Sequence, residues 1–257
     1  MRRIAAVAEY IFKQSFRNKI LNILILFAVF AIGFSLAISE LAQEAETKMV
    51  VDFGLFSIGL FAFLTIVLSM TVQLFEETEL KTLMIIMVKP IKRYEYILGK
   101  YLGMMMTVLM NILIMLVILM LIVKVKGGDP WDLKLIMAAM YSFLSVAILA
   151  SVAMLLSVVT TSVPGCIIFL ISVYATGHLT IHLKNLVDKT GGTAVKAIVD
   201  IIYYAVPNLE LFNLKDKIHT QQGLIDLNYL GLIFGYTLFY IIVMLFITSV
   251  IFTKKEF

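Results

Sequence analysis

YLGMMMTVLMNILIMLVILMLIV, residues Tyr101–Val123, runs for 23 positions without a charged side chain. A helix rises about 1.5 Å per residue, so some 20 apolar residues cross the ~30 Å hydrocarbon core of a bilayer. The run does not alternate apolar and polar residues, which excludes a strand of a membrane barrel. Backbone groups in lipid must bond within their own segment, and a helix is the structure that allows it. Five further runs read the same way: Ile20–Ile38, Phe53–Phe75, Leu135–Val159, Val163–Ile181 and Leu227–Phe252. The fold class is therefore an all-α integral membrane protein with six transmembrane helices. Composition agrees, with 61% apolar residues, 15% charged residues and a mean hydropathy of +1.01. A soluble domain carries about 45–50% apolar and about 25% charged residues. No internal repeat and no Gly/Ser/Pro-rich linker divides the chain, so residues 1–257 read as a single membrane domain.

The segments between the runs give orientation. Residues 1–19 are basic, with Ile4, Val7, Ala8, Ile11, Phe12 and Phe16 on one helical face and Arg3, Lys13 and Arg17 largely off it. That pattern predicts an interfacial amphipathic helix. The first apolar run that follows, about 19 residues long, exceeds a signal-peptide core and reads as a retained span. With the N-terminus inside, the segments 1–19, 76–100, 160–163 and 253–257 hold 12 of the 21 Lys and Arg, including all four Arg. The positive-inside rule then places both termini in the cytoplasm of a cell membrane. Thr160–Val163 is a very short turn, with Pro164 and Gly165 opening the next helix, so spans four and five form a tight antiparallel hairpin. The largest outer segment, 182–226, contains an amphipathic stretch, Thr193–Tyr204, and a break at Pro207–Asn208, which predicts one or two short outer helices. Cys166 stands alone inside an apolar run, so no intramolecular disulfide forms.

Several chemistries lack their parts. No G-x-x-x-x-G-K-[ST] loop, H-E-x-x-H or G-x-S-x-G motif occurs, so the chain itself is not read as an enzyme or as an ATP-binding protein. Ion-coupled carriers place Asp, Glu, His or Arg at membrane depth. Here the polar residues inside the spans are weak ones: Asn22, Gln73, Asn111, Ser142, Ser145, Ser151 and Ser157. That absence favours energy supplied from outside the chain. His178 and His182 are one helical turn apart, and His219 lies in the same outer region. They are weak metal candidates beside the simpler reading of interfacial histidines, and no metal is expected. The 15 Met residues, Met104–Met106 among them, are read as packing and lipid-facing residues rather than copper ligands.

Small residues mark close helix approach. Ala138, Ser142, Ser145 and Ala153 line one side of span four, interrupted by Leu149. Gly99 and Gly103, and again Gly231 and Gly235, form G-x-x-x-G pairs.

The segment between spans two and three, EETELKTLMIIMVKPIKRYEYILGKYLG (Glu76–Gly103), is long, helix-prone and rich in both charge signs. It carries Glu76, Glu77 and Glu79, then Thr82–Leu83, then Lys89–Pro90–Ile91–Lys92–Arg93, then Gly99–Lys100. This order resembles the membrane subunits of type-2 ATP-binding-cassette (ABC) exporters. Their pattern is an acidic residue near the end of span two, Thr-Leu, K-P-[IV]-x-R, and Gly-Lys opening span three. Lys81 departs from it, standing where the family often has Gly. The resemblance implies that 76–100 is a cytoplasmic coupling helix, with Glu76, Glu77, Glu79, Thr82, Lys89, Pro90 and Arg93 meeting an ABC ATPase. It also implies a second permease chain, identical or similar, and ATP and Mg on the ATPase rather than on this chain. No nucleic-acid partner is expected. The alternative is a membrane scaffold or assembly factor that transports nothing, whose loop binds anionic lipid headgroups or a structural protein.

Overall fold

A computed structural model describes residues 2–40, 46–71, 75, 92–129, 131–190, 196, 199–200, 203, 206–213 and 227–254. Among these residues all regular structure is helical. The helices are α1 (Arg2–Arg17), α2 (Lys19–Ser39), α3 (Glu46–Thr65), α4 (Arg93–Val125), α5 (Leu133–Val159), α6 (Val163–Thr190) and α7 (Leu227–Lys254). Six of them, α2 to α7, are long and apolar enough to cross a membrane.

Three boundaries differ clearly from the sequence reading. α3 begins at Glu46 rather than Phe53, α4 begins at Arg93 rather than Tyr101, and α6 ends at Thr190 rather than Ile181. Hydropathy finds the lipid-crossing stretch of a helix but not the polar turns that continue it. At Arg93 the reason is a local cap. The Glu95 carboxylate, three positions into the helix, accepts from the Lys92 amide at 2.9 Å, satisfying a donor that the first turn leaves open. At the far end α4 stops in a Schellman motif. Gly127 takes φ +76°, and the Gly127 and Gly128 amides donate back to the Lys124 and Val123 carbonyls. Asp132 then caps α5, its carboxylate accepting from the Lys134 amide at 3.0 Å. The α5–α6 hairpin is as tight as expected, with only residues 160–162 between the two helices.

The core lies between α3, α4 and α5. Burial covers 67% of the apolar window of α5 and 61% of that of α3, but only 17% of that of α7, so α7 presents most of its surface outward. α2 and α6 are peripheral by the same measure. The row of small residues on α5 belongs to the core: Ala138, Ser145 and Ala153 are buried, and Leu149, the apparent interruption, is wholly enclosed.

α1 packs along the first turns of α4 through the Gly99–Gly103 pair. A Cβ at Gly99 would stand 2.7 Å from Val7 Cβ, and one at Gly103 would stand 2.6 Å from the Ala8 carbonyl. Val7, Ala8 and Ile11 are thereby buried against protein, while Arg3, Glu9, Lys13 and Arg17 stay exposed. This fixes two ends of the bundle, the α1 end and the end opposite, where α3, α5 and α7 begin.

α3 continues into a single π turn, Ile66–Met70. Just before it the Thr65 hydroxyl donates to the Phe61 carbonyl and accepts from the Asn111 amide of α4 at 2.7 Å, fully buried. Polar side chains inside a membrane bundle join helices in this way.

Candidate functional site

Two regions hold the candidate residues. At the α1 end, Glu76, Glu77, Glu79, Thr82, Lys89 and Pro90 lie outside the described residues; Arg93 is described. Its guanidinium donates to the Phe252 carbonyl at 3.0 Å and to the Thr253 carbonyl at 2.9 Å. These belong to the last turn of α7, whose carbonyls have no intrahelical partner and carry partial negative charge. The Tyr96 ring stacks on Phe252 with centroids 6.1 Å apart, fastening the same joint. Arg93 therefore ties the exit of the 76–92 segment to the end of α7. Arg3 of α1 adds a long contact to Glu95 at 3.9 Å.

Lys100, one turn past Tyr96, carries information the sequence did not offer. It reads as a charge opening a span, yet it is completely buried, with Nζ 3.3 Å from the Tyr96 hydroxyl. An ammonium so enclosed is costly unless hydrogen-bonded. The signal that could have located it is its place between Gly99 and Gly103, where α1 comes closest.

At the opposite end, a cleft of about 340 Å³ opens between helices and a short turn. α3 supplies Leu55, Phe56, Gly59 and Leu60, and α5 supplies Ser142, Ser145 and Val146. α6 adds Tyr174 and His178, and the turn adds Leu209, Phe212 and Asn213. The turn is held from two sides. The Leu209 amide donates to the Gly177 carbonyl of α6 at 3.0 Å, and a Cβ at Gly177 would collide with Leu209 at 2.8 Å. The Tyr236 hydroxyl of α7 accepts from the Asn208 amide at 3.1 Å, and the Tyr229 hydroxyl donates to the Leu211 carbonyl at 2.9 Å. The Asn208 side-chain oxygen accepts from the Glu210 amide at 3.2 Å at the start of the 3-10 turn Glu210–Phe212.

His178 Nδ1 lies 3.6 Å from the Glu210 carboxylate, and its ring meets Tyr174 edge-on at 4.7 Å. Tyr174 in turn stacks on Phe63 of α3 at 4.1 Å. Among the described residues no group of three His, Cys, Asp or Glu side chains could hold a metal ion. The side chains of His182 and His219 lie outside the described residues. Of the outer segment, α6 runs on to Thr190, and the Lys184 ammonium sits over the Tyr203 ring at 4.1 Å. Sequence reading gave His178 but not Glu210, Gly59 or the cleft. The break at Pro207–Asn208 was the one sign that the chain turns back onto the bundle there.

A family model described as ABC-2 family transporter protein matches residues 12–181. The chain belongs to the ABC-2 transporter family. As a member of the ABC-2 family it is the membrane subunit of an ABC transporter, a multi-pass permease component. The matched stretch runs from the second half of α1 to α6 and includes residues 76–91. It stops short of the turn at 206–213 and of α7. A search among curated proteins finds no match.

Proposed function

We propose that this chain is the permease of an exporter driven by a separate cytoplasmic ABC ATPase. The family match across residues 12–181 carries the reading, because it includes the segment that resembles a coupling helix. In this reading the α1 end faces the cytoplasm of a cell membrane, as the concentration of Lys and Arg there supports. Two chains, identical or similar, enclose a path bordered by α2, α3 and α6. ATP and Mg²⁺ bind the ATPase, which dimerises on ATP and presses on the 76–92 segment. Glu76, Glu77 and Glu79 meet basic residues of the ATPase, Thr82 and Lys89 belong to that contact, and Pro90 marks a turn or helix start. Arg93 acts as a positioning residue. It joins the segment to α7, so a push on the segment moves α4 and α7 together.

The test is purification in mild detergent, with mass spectrometry and an ATPase assay on what accompanies the chain. A stoichiometric nucleotide-binding subunit, lost in Glu77→Lys or Glu79→Lys while membrane insertion is unchanged, is the expected result. Normal assembly in both variants would remove the coupling role from these residues.

A further inference from the structure

We infer that the cleft between α3, α5, α6 and the 207–213 turn is a binding site for an uncharged amphipathic small molecule. Its volume of about 340 Å³ falls in the range of sites that enclose small ligands, about 300–1,000 Å³. Its walls are largely apolar, with Leu55, Phe56 and Leu60 facing Val146, Leu209 and Phe212.

The decisive group is Ser145. Four buried serines, Ser35, Ser39, Ser57 and Ser151, each donate to a carbonyl three or four residues back, and buried Ser15 donates to the Met104 sulfur. Ser145 is only 8% exposed and lines the cleft, and among the described residues its hydroxyl shows no such bond. A hydroxyl or carbonyl on a ligand in the cleft can bond this hydroxyl. At the rim, Glu210 lies beside His178 at 3.6 Å and accepts from the Asn213 amide at 2.9 Å, so its carboxylate is already engaged by neighbouring side chains.

Gly59 supplies a clean way to close the site. A Cβ there meets nothing within 4 Å, so a larger side chain enters the cleft rather than the protein. The inference stands on the cleft alone and does not require the ATPase.

The experiment is photolabelling of the full chain in phosphatidylcholine nanodiscs with 3-azioctanol, an uncharged alcohol with a diazirine, read by peptide mass spectrometry. Saturable labelling of the α6 and 207–213 peptides is expected, reduced at least about fivefold by Gly59→Leu and clearly by Ser145→Ala. Both variants are checked by melting temperature and size-exclusion profile, and Ser145→Ala serves if Gly59→Leu fails to fold. Dioctanoylglycerol added to the bilayer and hexanol added to the water compete for the site and separate the two sources. Competition by the first alone makes the ligand a membrane lipid, and competition by the second makes it a solute. Labelling that spreads over α2 and α7 in proportion to exposure, without saturation and unchanged in both variants, would overturn the proposal and leave Ser145 to an ordered water.

Discussion

Gly99 and Gly103 in α4, and Gly231 and Gly235 in α7, have the same spacing and opposite surroundings. At the first pair the α1 backbone fills the space where a side chain would stand. At the second, nothing among the described residues comes within 4 Å of an added Cβ, and large residues around it, such as Leu232 and Phe239, point outward. The spacing alone says that two backbones can approach, and it is silent on whether they do. What decides is the neighbour. α1 brings Val7, Ala8 and Ile11 at matching intervals, a set of small and β-branched side chains that can reach the groove. α7 has no such partner within the described chain, and its open pair is left to lipid or to another protein.

The comparison breaks first at Gly103. Gly103→Leu forces a side chain into the Ala8 carbonyl and Ile11, and overpacking of this kind costs about 1–3 kcal/mol. A marked fall in melting temperature is expected, together with faster amide exchange along α1. An unchanged melting curve would mean that α1 does not depend on the groove. Arg93→Ala comes next. It removes two charge-assisted bonds to the end of α7, worth about 1 kcal/mol at a partly exposed site. Earlier proteolysis after Phe252 is the expected readout, and the α1 exchange pattern should stay as it was. Gly235→Leu tests the open pair. The isolated chain should melt within about 0.5 kcal/mol of the parent, as exposed positions generally do. If the same variant lowers the dimer fraction in nanodiscs, the open pair is a contact between chains.

The smallest effect concerns the exposed face of α1. The Lys13 ammonium bonds the Glu9 carboxylate at 2.6 Å and holds its pKa below the ordinary 4.5. A carboxyl depressed in the folded state contributes stability above its unfolded pKa and loses it as pH falls through the lower folded value. The contribution is therefore intact at neutral pH and fades only below about 4.5, for a fully exposed pair. Melting temperatures at pH 7 and pH 5.5 should show no difference that Glu9→Gln abolishes.

The spans were legible in the sequence because lipid imposes one solution on a long apolar run. All six runs correspond to helices, and the disagreements lie at Glu46, Arg93 and Thr190, where polar residues continue a helix beyond the hydrocarbon. The family was legible from the Glu76–Lys100 pattern, which is local in sequence. The cleft was not, because it assembles Gly59, Ser145, His178 and Phe212 from four separate elements. Nor does sequence distinguish Ser145 from Ser57, since one back-bonds and the other does not only by rotamer and neighbour. Lys100 illustrates the same limit: its burial follows from the approach of α1, which hydropathy around residue 100 does not report.

α4 is the longest of the described helices. Its 33 residues make a rod of about 50 Å, against a hydrocarbon thickness of about 30 Å. One end is pinned to α1 and to the tip of α7, and the other is pinned by the Lys126–Glu46 ion pair at 2.8 Å, with no proline or break between. A stiff strut fixed at both faces cannot absorb a displacement along its length. The nearest departure from regular α-helix beside it is the π turn Ile66–Met70 in its neighbour α3.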